Sequence, residues 1–168
     1  AEILRELPPE LTRILRDTNG FILHNGALHV RGASTTPEWH SLRTALQGSS
    51  ALHSLYEDVE ATDIPFAQDQ LGDQYLLRHG RVFKLSAETG DVEFLAEDLD
   101  EFFRNADVDI ETFLNIGLGH ILEPGQGLMA FPPFVVRASD GRVSLKPISA
   151  GNLILFHADL AKQIRDVP

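Results

Sequence analysis

The spacing of apolar residues changes along this chain from helical to alternating and back, and each change marks an element. In LPPELTRILRDTNGF, Leu11, Ile14 and Leu15 share one helical stripe with Thr18. Pro8 and Pro9 suit the first turn of that helix, and Asn19-Gly20 stop it with residues that tolerate left-handed backbone. Short strands are predicted at Phe21–His24 and Ala27–Val30, joined across Asn25-Gly26. Thr35-Thr36-Pro37-Glu38 opens a second predicted helix, with a capping box between Thr35 and Glu38. Trp39, Leu42 and Leu46 supply its apolar face, and Gly48 ends it.

From Ile64 the period shortens to two. Strands are predicted at Ile64–Gln68, Gln74–His79, Arg81–Ser86 and Asp91–Ala96, with Gly80 and Ala87-Glu88-Thr89-Gly90 as connections. Leu99, Phe102 and Phe103 then mark a short helix opened by Asp98. Ile110, Phe113 and Leu114 mark another, opened by Asp107 or Asp109 and closed by Gly117. Residues 117–133 read as a long ordered loop ending in Phe131-Pro132-Pro133. Strands at Phe134–Arg137 and Arg142–Ile148, joined through Asp140-Gly141, precede a last helix from about Ser149 to Asp166. Leu153, Phe156, Leu160 and Ile164 are expected to be its inward face. Strands and helices are segregated, and no repeat or long linker interrupts them. The fold class expected is α+β, a single domain over 1–168 with a twisted, mainly antiparallel sheet packed against helices.

Composition narrows the function. The 168 residues are 43% hydrophobic and 23% charged, an ordinary balance for a globular protein. No apolar run reaches the ~20 residues of a membrane span, so no membrane partner is expected. The chain has no basic segment followed by an apolar stretch at its start, although it begins at Ala1 and so is compatible with a removed leader. With no cysteine, disulfides and thiol nucleophiles are excluded, and a cytoplasmic location is the expectation. Net charge is −11, and it is localised: from Glu57 to Glu111 there are 16 acids against 4 bases, a balance of −12. Such a field repels nucleic-acid phosphates and steers a basic protein.

The acids invite chemical readings, and each has a plainer one beside it. Asp69 and Asp73 flank Leu71-Gly72 as paired carboxylates, but the ligand spacing of a calcium loop is absent and an Asp-stabilised turn explains them better. Glu88, Asp91 and Glu93 cluster at a tight hairpin in which Gly90 takes a positive φ. Asp98, Asp100 and Glu101 occupy a helix's first turn, where its dipole favours acids. The seven histidines lack metal-site spacing and read as surface or half-buried residues. No nucleophile elbow, phosphate loop or dinucleotide fingerprint appears. Trp39, Tyr75 and Phe131 are aromatics near turns; Trp39 and Tyr75 read as core. No enzyme activity, cofactor or metal is expected.

Four pieces carry a family likeness: Pro65-Phe66-Ala67-Gln68-Asp69, Gly72-Asp73-Gln74-Tyr75, Gly80-Arg81-Val82-Phe83 and Glu88-Thr89-Gly90-Asp91-Val92-Glu93. They resemble the central segment of the SUKH superfamily, which includes the yeast regulator of cell-wall assembly and many bacterial immunity proteins. Leu7-Pro8-Pro9-Glu10-Leu11 with Asn19-Gly20 looks like that family's opening helix. Phe131-Pro132-Pro133-Phe134 and His157-Ala158-Asp159-Leu160-Ala161 resemble its closing segment. The chain departs from the family in the short segment ahead of Leu7, where part of an N-terminal helix would otherwise stand. The resemblance implies a non-enzymatic α+β domain that neutralises a cognate toxin, often a nuclease, by direct binding. A regulatory scaffold of the cell-wall type is the alternative, and a metal-dependent binder or enzyme a third. The expected contact surface for a basic toxin is acidic and comprises Asp69, Gln70, Asp73, Gln74, Tyr75, Glu88, Asp91, Glu93, Asp98 and Glu101.

Overall fold

The computed structural model describes residues 2–136 and 141–166. Helix α1 (Pro9–Thr18) has proline at its first position and ends at Asn19, whose φ of 52° lets its N–H reach the Leu15 carbonyl. Strands β1 (Phe21–Leu23) and β2 (Leu28–Val30) follow across a single turn at His24–Gly26. After the helical turns described below come β3 (Ile64–Asp69), β4 (Gln74–Arg78), β5 (Arg81–Leu85) and β6 (Val92–Ala96). All pair antiparallel in sequence order, making one six-stranded meander with β1 and β6 at its edges. The alternating pattern thus extends the expected meander to the two N-terminal strands, and the α+β single-domain class holds.

Alternation gives this sheet two unlike faces. One presents Leu28, Val30, Phe66, Tyr75, Leu77 and Val82 to α1 and to helix α4 (Leu99–Leu114). Phe102 of α4 is fully buried there, with ring centroids 5.3 Å from Phe66, 5.2 Å from Tyr75 and 5.6 Å from Phe113. The other face is apolar only at one end. Leu76 and Leu85 lie under Leu52 and Tyr56 from helix α3 (Leu52–Leu55) and the residue after it, and under Ala158 and Ala161 of α5 (Ala150–Arg165). At the β2–β3–β4 end that face carries buried His29, Arg31, Gln68 and Gln74. No helix among the described residues is long and apolar enough to cross a membrane.

Four local expectations are corrected. The helix predicted from Thr35 does not form with a Thr35–Glu38 box. A 3-10 turn at Glu38–His40 leads into a short α2 (Leu42–Leu46) capped by Ser41, whose Oγ accepts from the Thr44 N–H at 3.3 Å. The chain is held extended between them because Gly32 donates to the His40 carbonyl at 2.8 Å and Leu42 donates back to the Gly32 carbonyl at 2.9 Å. The two predicted helices after Asp98 abut as one element, broken at Asp109 (φ −160°, ψ 87°), which caps the second half by accepting from the Thr112 N–H at 3.1 Å. Asn115, at φ 56°, ends it rather than Gly117.

The third correction is the region after 117. It is not all loop, because β7 (Gln126–Phe131) pairs antiparallel with β8 (Ser144–Ser149) in a separate ribbon. The predicted strand at Phe134–Arg137 is a 3-10 turn at Phe134–Val136; Arg137 and Asp140 of the predicted hairpin lie outside the described residues. The pairing of β7 is set at a distance, by the Leu128 N–H on the Gln70 carbonyl at 2.7 Å. Fourth, the buried line of α5 is Leu153, His157, Ala158 and Ala161, while Phe156 is 40% exposed and Leu160 and Ile164 are half-buried. A close approach selects that line: a Cβ at Gly72 would lie 3.0 Å from both His157 and Leu153. A bulky aromatic cannot replace them there.

Candidate functional site

Three acids of the β3–β4 and β5–β6 turns, Asp69, Asp73 and Glu88, are engaged by groups of the protein itself. Asp69 is buried; its Oδ1 accepts from the Leu71 and Asp73 N–H groups at 2.9 and 3.2 Å, and its Oδ2 from the Tyr75 hydroxyl at 2.7 Å. That is the Asp-stabilised turn expected from the sequence, closed by Gly72 at φ 91°. Burial, with the neighbouring Asp73 charge, pushes the Asp69 carboxyl up to about 7. Asp73 pairs with Lys84 at 2.9 Å and accepts from the Ala87 N–H at 2.8 Å. Glu88 accepts from the Phe134 and Val135 N–H groups at 3.1 and 2.8 Å, holding the 3-10 turn after β7 against the β5–β6 hairpin.

The expected contact surface therefore divides. Asp69, Gln70, Gln74 and Tyr75 are buried, and none of them can meet a partner on the surface. Gln70 instead donates to the Gly117 carbonyl at 2.5 Å, and Gln74 to that of Gly72 at 2.7 Å. Asp73 and Glu88 are half-buried and engaged internally. Asp91, Glu93 and Asp98 are exposed and Glu101 half-exposed. Asp98 caps α4, accepting from the Glu101 N–H at 2.7 Å, while Glu101 reaches back to the Glu97 N–H at 2.6 Å. From Asp91 to Glu111 eight carboxylates are exposed, and Arg104 is the single base in that span. This acidic face lies on β6, an edge strand that exposes half of Phe94, and on the helix that follows it. Among the described residues no group of three or more His, Asp or Glu is placed to hold a metal ion.

A second polar site, not read from the sequence, occupies the wet end of the sheet. His40 Nε2 lies 2.7 Å from the Asn19 carbonyl, which only accepts, so that nitrogen carries the proton. His40 Nδ1 then accepts from His29 Nε2 at 2.8 Å, and His29 Nδ1 faces the Gln68 amide at 3.5 Å. Arg31 donates to Gln68 and Gln74 at 2.9 and 2.6 Å, closing the chain of bonds. Burial first, then Arg31 and His40, lowers His29 to about 3. Trp39 stands over it, its ring 5.2 Å from His29 and half-buried rather than core. Gly32 is required, since a Cβ there would collide with the His40 ring and the Asn19 carbonyl. His29 and His157 correct the expectation of surface or half-buried histidines, both being buried. His157 is held at about 4 by burial, its Nδ1 without a hydrogen-bond partner among the described residues. Tyr75 is core as expected, and Phe131 is 67% exposed.

Signals for the second site were present but unreadable. His29 and Arg31 alternate with Leu28 and Val30, which in an edge hairpin means solvent, and here β3 pairs beside them while Trp39 and His40 pack on His29. No protein-family model matches the sequence, and no curated protein matches it.

Proposed function

We propose that this chain is a non-enzymatic protein-binding domain of the SUKH type, an immunity protein that neutralises a basic toxin with the acidic face of β6 and α4. The observation that carries this is the density of exposed carboxylates from Asp91 to Glu111, eight acids against Arg104 in that span and Arg81, which pairs with Glu97 at 3.2 Å from the neighbouring strand. Internal hydrogen bonds engage Asp69, Asp73 and Glu88 of the 69–88 turns, so among the acids of the chain's middle third those of β6 and α4 form the largest exposed group. A nuclease groove built for phosphate is basic, and an acidic face steers to it before contact. Phe94, 50% exposed on the edge strand, supplies an apolar anchor inside the charged field, and the unpaired side of β6 offers backbone donors and acceptors.

The test is stopped-flow and calorimetry against the toxin encoded beside this chain, comparing wild type with Glu93→Gln, Asp100→Lys and Asp107→Lys combined. None of these three side chains is needed for the hydrogen bonds that hold the turns. Association is expected to slow about tenfold, with a wild-type rate that falls as salt rises. Wild-type binding by the triple variant at low salt would sink the assignment of the face. Charge reversal at Asp69, Asp73 or Glu88 would not test it, because those groups hold the fold.

A further inference from the structure

A cavity of about 400 Å³ opens over the wet end of the sheet, and Arg31 is one of its lining residues. Arg31 is 3% exposed, and its terminal nitrogens donate to four neutral oxygens: Pro65 O at 2.8 Å, Ala67 O at 3.3 Å, Gln68 Oε1 at 2.9 Å and Gln74 Oε1 at 2.6 Å. Among the described residues no carboxylate pairs with it, and its Nε donor has no acceptor. Burial alone acts on its ionisation, lowering it to about 10, so the guanidinium stays charged at neutral pH. A buried cation solvated only by dipoles lacks the compensation that a counter-charge supplies. An anion reaching it from the cavity would provide that compensation.

The rest of the wall says what kind of anion. Residues 150–152, the first turn of the 16-residue helix α5, line the same cavity and add the positive end of its dipole. Leu52, Leu55, Ile154 and Leu155 make one side apolar. Glu38, exposed at the rim, is the one acid among the lining residues and disfavours a dianion. The volume lies within the ~300–1,000 Å³ of small-molecule sites. We propose that this cavity binds a free aliphatic carboxylate, its head at Arg31 and the start of α5, its chain along Leu52, Leu55, Ile154 and Leu155.

Trp39 lines the cavity and is the chain's single tryptophan, so its fluorescence reports occupancy directly. Octanoate is expected to change Trp39 emission saturably, binding at least about tenfold more tightly than octanol or octylammonium, as a charge-assisted contact requires. Leu155→Glu, at a position 52% exposed, puts a like charge in the wall without touching the core. It should weaken octanoate about tenfold while leaving thermal unfolding unchanged. Arg31→Lys should weaken it likewise, and if that variant fails to fold, Leu155→Glu still decides. Equal affinity for the three probes, no saturable change with octanoate, or indifference to Leu155→Glu would each overturn the proposal.

Discussion

The two faces of the six-stranded sheet are made by alternate residues of the same strands, yet they solve opposite problems. The face under α1 and α4 is dry: Phe66, Tyr75 and Leu77 meet the aromatic cluster around Phe102, and the buried Asp69 carboxyl is served by the Tyr75 hydroxyl and two N–H groups. The face under α3 and α5 is dry only beneath Ala158 and Ala161, and elsewhere spends its buried positions on His29, Arg31, Gln68 and Gln74. An interior that only needed stability would not place a cation and two glutamines there. The difference separates a face that builds the fold from one that is polar by design of its contents and opens to a cavity.

The largest effect is expected on the dry face. Phe102→Ala removes a fully buried ring packed against Phe66, Tyr75, Phe103 and Phe113 and should cost about 3–5 kcal/mol in urea denaturation. A loss below about 1 kcal/mol would mean that this face is not the principal core.

The wet face and its neighbours should reveal themselves through pH. His29 and His157 are held by burial at about 3 and about 4, so the unfolded chain protonates both below about pH 6.5 while the native protein does not. Their contribution to stability is therefore lost as pH falls through that window. Asp69 acts in the opposite sense: its native carboxyl keeps a proton up to about 7, and its contribution is lost as pH rises from the ordinary carboxylate range. Two histidines outweigh one aspartate. Stability should rise by about 1.4 kcal/mol per pH unit between about pH 4 and 6.5. His157 faces Asp73 and lies 4.0 Å from Glu88, neither of which rescues its charge. His157→Gln should remove about one proton from the uptake on unfolding and nearly flatten the slope, a difference reaching about 3 kcal/mol near pH 4. A slope unchanged in the variant would place the acid sensitivity elsewhere.

The smallest effect concerns the buried carboxyl at the edge of the dry face. Tyr75→Phe keeps the ring at 0% exposure but takes the hydroxyl from Asp69. Denaturation should show a cost of about 1 kcal/mol at pH 5, where the carboxyl is protonated, and about 2 at pH 8, where a charged oxygen is left unpaired. A cost independent of pH would contradict the raised ionisation of Asp69.

How much of this was legible follows from the range over which each signal acts. Asn19 after α1, Asp98 before α4 and the Asp69–Asp73 turn were readable because a cap or an Asx turn is satisfied within a few residues. The acidic excess was readable as a count, but which acids face outward was not. Asp73 and Glu88 are withdrawn by Lys84 and by N–H groups some 46 residues away. Strand β8 was legible near its observed bounds, but β7 reads as loop because Gly125 and Gly127 blur the alternation, and Gln70, which holds it, is distant in sequence.

The α+β class, the order of the meander strands, the ends of α1, the starts of α4 and α5 and the sign of the protein's field were all legible in the chain alone. Those follow from periodicity, local capping and composition, which need no knowledge of what lies across the chain. Only the assembled fold brings His29 to His40, buries Arg31 with no carboxylate partner among the described residues, and gathers exposed acids on β6 and α4. Each of these depends on which distant segment covers a given residue, and burial, unlike periodicity, is a property of the assembled fold.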